Sequence, residues 1–241
     1  MSTTATPQRV KLLTGYKGGD GVAHTEVEIG KRITAGDLMR IGDDPESTIE
    51  VQFNLLLLSV AITKFGTLPV PPAVPLTVLL SLDSVDREDL SRAHNRFIKA
   101  SRGGARPERL SESRVRLTSG FQIGGQTYDV VEFGRLLTGY DEIDADGMSQ
   151  WRQQCFLLGK QITQLAQSAG GATLAGPIDA DAFESLPDVD LYELINLSAD
   201  WKNSFRRRKR AEVQPDGGGG RDVSAAAPAG HDGARSADAQ S

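Results

Sequence analysis

The feature that most constrains the fold is that the chain matches itself. Arg9-Val-Lys-Leu12 lies over Arg114-Val-Arg-Leu117, which brings Gly15-Tyr16 onto Gly120-Phe121. Further on, Glu28-Ile-Gly-Lys31 meets Glu132-Phe-Gly-Arg135, and Thr34-Ala-Gly-Asp37 meets Thr138-Gly-Tyr-Asp141. Leu57-Leu58 and Ile62-Thr63 meet Leu157-Leu158 and Ile162-Thr163. Last, Leu82-Asp-Ser-Val-Asp86 meets Leu186-Pro-Asp-Val-Asp190, and Phe97 meets Trp201. The order never changes and the gaps are small. Such a series predicts two tandem copies of one supersecondary unit, which bury their apolar faces by packing on neighbours.

Each copy reads in the same way. Two strand-like stretches flank a glycine-containing turn, at 10–16 and 25–29 in the first copy and at 115–121 and 127–133 in the second, the pattern of a β-hairpin. Val27 and Ile29 alternate with Glu26 and Glu28, as in a strand with one buried face. Thr34 with Asp37, and Thr138 with Asp141, have the spacing of a helix-capping pair. A longer helix is expected next. In the second copy Trp151, Cys155, Leu158, Ile162 and Leu165 recur at helical spacing. In the first copy the same helix is richer in apolar residues, with Phe53, Leu55, Leu56, Leu57, Leu58, Val60, Ala61, Ile62 and Phe65. A closing helix is expected from Asp83 or Ser84, and from Asp188. The predicted fold class is α+β, predominantly helical, with two tandem repeats, each a small β-hairpin followed by two or three α-helices.

The predicted boundaries are 1–8 disordered, 9–101 repeat 1, 102–113 linker, 114–210 repeat 2 and 211–241 a disordered tail. The tail is Gly, Ala, Ser and Asp with a glycine run at 217–220, so it cannot bury enough apolar surface to offset its ordering entropy. The linker is read from Ser101-Arg-Gly-Gly-Ala-Arg-Pro107, and the run Pro69-Val-Pro-Pro-Ala-Val-Pro75 is expected to be stiff and extended.

Hydrophobic residues make up 39% of the chain and aromatics 6%, so the core must rest on Leu, Ile and Val. A formal net charge of −5 argues against a general nucleic-acid binder. The one cysteine, Cys155, excludes an intramolecular disulfide and fits a reducing cytoplasm. The N-terminus has neither the basic nor the apolar region of a secretory signal, and the apolar window at 49–65 is short for a bilayer span.

No catalytic, cofactor or metal constellation is read. His24, His94 and His231 have no ligand spacing, and the glycine clusters lack the ending of a phosphate loop. The acidic stretch 141–146 is followed by Gly147 but lacks the closing glutamate of a calcium loop. The basic run Arg206, Arg207, Arg208, Lys209, Arg210 reads as a solvated helix end, with an acidic partner or nucleic acid as the alternative.

The plan of each copy resembles the tail assembly chaperone family of Mu-like and related long-tailed bacteriophages. The likeness is carried by Glu26-Val-Glu-Ile-Gly-Lys-Arg-Ile-Thr-Ala-Gly-Asp-Leu38, by the apolar helix after it, and by Leu82-Asp-Ser-Val-Asp-Arg-Glu-Asp-Leu90 leading to Phe97. The second copy departs from it at Thr138-Gly-Tyr-Asp-Glu142. The resemblance implies a non-enzymatic protein of the bacterial cytoplasm, absent from the mature virion. It would bind and solubilise the tape measure protein and hand it to tail-tube subunits. The alternative is a minor structural tail or baseplate adaptor.

The surplus of apolar residues on the long helices is expected to face the sister repeat, another copy of the chain, or a client. The candidate partner-binding residues are Phe53, Leu56, Leu57, Leu58, Ile62, Phe65, Trp151, Leu158 and Ile162.

Overall fold

In each half a helix gives way to a strand at an Ile-Thr pair, and that junction sets the architecture. The computed structural model describes residues 5–19, 21–70, 73–101 and 106–213, with side chains through 210. The first half runs β1 (Gln8–Lys17), β2 (Ala23–Ile29), α1 (Ala35–Gly42), α2 (Glu50–Ala61), β3 (Ile62–Phe65), α3 (Leu76–Leu80) and α4 (Ser84–Ser101). The second runs β4 (Glu108–Arg109), β5 (Arg114–Ile123), β6 (Gln126–Phe133), α5 (Gly139–Asp144), α6 (Gln150–Gln161), β7 (Ile162–Ala166), β8 (Thr173–Ala175) and α7 (Asp188–Val213). A 3-10 turn, Pro45–Thr48, precedes α2, and another, Ala180–Phe183, stands where the first half has α3.

The expected predominance of helix is therefore wrong, and so is the unit of a hairpin followed only by helices. The fold is α+β with two antiparallel sheets, one of three strands in the order β1-β2-β3 and one of five in the order β4-β5-β6-β7-β8. The single long helices expected over 49–65 and 151–165 each break in two. α2 ends at Ala61 and α6 at Gln161, and the following strands pair with β2 and β6.

The error has a physical cause. Leu58, Ile62 and Phe65 recur at helical spacing, as do Leu158, Ile162 and Leu165, and all six are buried. A register shift beside Ile29 and beside Phe133 lets strand residues three apart both face the core, which imitates a helical period. The β-branched Ile-Thr pairs favour strand. The break is held by hydrogen bonds. Gly30 and Lys31 N–H donate to Ala61 O (3.1 and 3.2 Å), and Gly134 and Arg135 N–H donate to Gln161 O (3.1 and 3.3 Å).

β1 and β5 are bulged at corresponding places, and a buried aspartate fills each bulge. Asp86 on α4 accepts from Leu13 N–H (2.6 Å), Thr14 N–H (3.1 Å) and Gly15 N–H (2.9 Å), and from the Thr14 hydroxyl (2.8 Å). Asp190 on α7 accepts from Thr118 N–H (2.9 Å), Ser119 N–H (2.9 Å) and the Thr118 hydroxyl (2.8 Å). Gly15 (φ 67°) and Gly120 (φ 73°) make the bends. A Cβ at either would stand 2.4 Å from His24 O or 2.6 Å from Tyr128 O, so glycine is required there.

One continuous core joins the halves, from Ile29, Phe65, Leu90 and Phe97 through to Phe121, Phe133, Leu158 and Trp201. Gln8, expected to be disordered, pairs with Ile29 in β1, and α7 continues past 210 to Val213. Within the expected linker, Glu108–Arg109 forms a strand on β5. The disordered reading of 214–241, with His231, lies outside the described residues, as do 71–72 of the proline run.

Removing the buried carboxylate strands the half-buried backbone donors that it holds. Asp190→Ala should lower unfolding free energy by about 3 kcal/mol in urea titration. Asp200→Ala, which loses an exposed pair with Arg109, should cost no more than about 0.5 kcal/mol. Equal effects would show that the bulge does not depend on the carboxylate.

Candidate interaction surface

The contact that joins the halves is made by α1. Its cap is complete: Asp37 N–H donates to Thr34 Oγ1 (3.2 Å) and Thr34 N–H donates to Asp37 Oδ2 (3.1 Å). Lys31 Nζ (3.0 Å) and the Arg40 guanidinium both contact the same buried carboxylate. First-turn amides of a helix have no partner within it. Here they find carbonyls in the second half, because Ala35 N–H donates to Leu186 O (2.8 Å) and Gly36 N–H to Glu184 O (3.1 Å). Asp188 N–H returns a bond to Ile33 O (3.2 Å). Gly36 permits this approach, since a Cβ there would meet Glu184 O at 2.9 Å.

At the other end of α1, a Cβ at Gly42 would lie 3.3 Å from Trp151 Cδ1, and Asp43 pairs with Arg152 (3.2 Å). Trp151 is braced edge-on by Tyr192, centroids 5.7 Å apart. Every residue of α1 from Ala35 to Met39 is buried.

α5 is the counterpart of α1 and has the same cap. Thr138 N–H donates to Asp141 Oδ2 (2.8 Å), and Arg135 Nη2 lies 2.9 Å from that oxygen. Hydrogen bonds from the Thr138 backbone and hydroxyl, helped by Arg135, hold the Asp141 carboxyl down at about 2. The surroundings of α5 differ entirely. Tyr140, which stands where Gly36 does, is 80% exposed, and Ile143, which stands where the buried Met39 does, is 69% exposed. The amides of Gly139 and Tyr140 meet no acceptor among the described residues.

The sequence-predicted partner residues divide in two. Leu58, Ile62, Phe65, Leu158 and Ile162 are core and are closed to a partner. Phe53, Leu56 and Leu57 are half-buried on α2 and, with Val60, form one stripe at i, i+3, i+4 and i+7. Trp151 is half-buried against α1 and so faces the other half of its own chain. In the equivalent stripe of α6, Gln153 and Lys160 replace two of the apolar residues, and Lys160 Nζ lies 4.9 Å over the Phe156 ring. Sequence reasoning missed two exposed apolar groups. They are Ile49, Val51 and Leu80 in the first half, and Leu136, Tyr140 and Ile143 in the second. The internal alignment carried the signal, because Tyr140 falls on a glycine there.

No group of His, Cys, Asp and Glu able to hold a metal occurs among the described residues, and none of their helices is long and apolar enough to cross a membrane. Cys155 is fully buried, and burial raises its thiol to about 12, which suppresses the reactive thiolate. His94 is pushed below the usual histidine range by burial. The basic run 206–210 lies exposed on α7, with Arg208 3.0 Å from Glu112. Compared with family models, curated proteins and solved structures, the chain matches none.

Two outcomes follow. Asp141 is depressed in the folded state, so its stabilising contribution is full above its ordinary value of 3.8 and is lost as pH falls toward about 2. The stability gap between wild type and Asp141→Asn should be constant at neutral pH and close over that acid window in denaturant titrations; a gap unchanged at the acid end would contradict the assignment. Cys155 should react with a thiol reagent only at the rate of unfolding, and fast labelling of native protein would contradict its burial.

Proposed function

We propose that the protein is a non-enzymatic binding protein whose α2 stripe holds an apolar helical segment of a client, in the manner of a tail assembly chaperone holding the tape measure protein. The observation that carries this is the stripe itself. Phe53, Leu56, Leu57 and Val60 follow one another along α2 with no polar residue among them, and each keeps part of its surface in solvent. A stripe of this spacing fits the apolar face of another helix, which would bury it in turn. The client's identity comes from the resemblance of 26–38 and 82–97 to the chaperone family. A protein that keeps a long, aggregation-prone chain soluble needs reversible apolar contact rather than a reactive centre. A half-buried row suits that need, being open to a client yet anchored on its own core.

The test is co-expression with a tape measure protein of a long-tailed phage. Leu57→Asp should melt within a few degrees of wild type and send the client to the pellet. A folded variant that keeps the client soluble overturns the reading. If Leu57→Asp unfolds, Phe53→Asp, nearer the start of α2, takes its place. Unfolding of both would mean that the stripe is core, and would equally overturn the reading.

A further inference from the structure

Four residues of the two exposed apolar groups, Ile49, Val51, Leu80 and Tyr140, stand at positions whose counterparts make the contact between the halves. In the second half α1 docks on Ser149, Trp151 and Glu184. The corresponding positions of the first half are Ile49 and Val51, at the same places relative to the start of α2, and Leu80, which precedes Leu82 by two residues as Glu184 precedes Leu186. They are 57%, 57% and 41% exposed. The docking element has its counterpart too, in α5 with Leu136, Tyr140 and Ile143. Each chain thus carries one filled plug-and-socket contact inside, a bare socket in its first half and a bare plug in its second. Three large apolar side chains in each bare site leave an unfavourable area in water, and covering one with the other removes both from it.

We infer that α5 of one molecule docks on the Ile49, Val51 and Leu80 surface of a second copy of this chain. The pairing is heterologous, so it extends head to tail until a ring closes or an open array forms. Side-chain bulk is exchanged between the two contacts. Inside the chain the socket supplies the large residue, Trp151, and the helix supplies Gly36 and Gly42. Between chains the helix supplies Tyr140 and the socket supplies Val51. The close backbone approach that Gly36 allows is denied to Tyr140, so this contact is set wider apart and lies on side chains. It is accordingly weaker than the internal one and depends on protein concentration. These residues are separate from the α2 stripe, so the inference stands or falls independently of the proposed client.

The full chain is examined by sedimentation velocity up to roughly 1 mM, the range in which a weak contact of this kind saturates. Wild type should grow beyond dimer as concentration rises. Tyr140→Asp, which removes the plug, and Val51→Asp, which blocks the socket, should each be monomeric and fully folded by circular dichroism. Mixed together they should form a one-to-one pair that grows no further, since each retains the surface that the other lacks. Ile143→Asp and Ile49→Asp replace any variant that does not fold. A wild type that stays monomeric, an assembly that survives both substitutions, or a mixture that does not pair would each overturn the inference.

Discussion

The two halves of this molecule are one structure because the first turn of α1 hands its unpaired amides to the carbonyls of Glu184 and Leu186. A helix start buried without partners would be costly, since each stranded donor forfeits its hydration. The segment that ends in Pro187 supplies those partners from outside the helix. Gly36 lets the backbones meet, and Trp151 and Arg152 close the far end of α1. From that contact follow the single shared core and the burial of α1 from Ala35 to Met39.

Within each half the organising groups are carboxylates. Asp86 and Asp190 reach from the closing helices into the bulges of β1 and β5 and collect amides that the sheet has left unpaired. For Asp86 burial opposes ionisation, yet the donors from Gly15, Leu13 and Thr14 outweigh it and hold the carboxyl below its usual range. Asp37 and Asp141 do the same work at the helix starts. The oxygens of all four are committed to holding backbone in place.

Features with a local cause were legible in the sequence. The strands flanking the glycine turns lie where alternation and glycine put them, and both Thr-to-Asp caps form with their reciprocal bonds. The third strand of each sheet was not legible. Its pairing with β2 or β6 depends on residues far away in the chain, and the bulge gives Ile62 and Phe65 a helix-like spacing. The same limit applies to the surface. Apolar type alone put Leu58 and Leu158 with Leu57 among partner-binding residues, whereas only packing decides which of them reaches solvent. Tyr140 was overlooked because it read as a degraded motif, when the informative fact was its difference from Gly36.

The central claim is that α1 and α5, alike in position and cap, differ in whether something covers them. Residue-resolved hydrogen exchange on dilute protein tests this directly, because a first-turn amide is protected only if an acceptor is docked on it. The Ala35 and Gly36 amides should exchange slowly, near the rate of the core, while Gly139 and Tyr140 exchange close to the rate of unstructured chain. Equal rates for the two pairs would contradict the account, since α1 would then be as uncovered as α5 and the halves would not be joined as described.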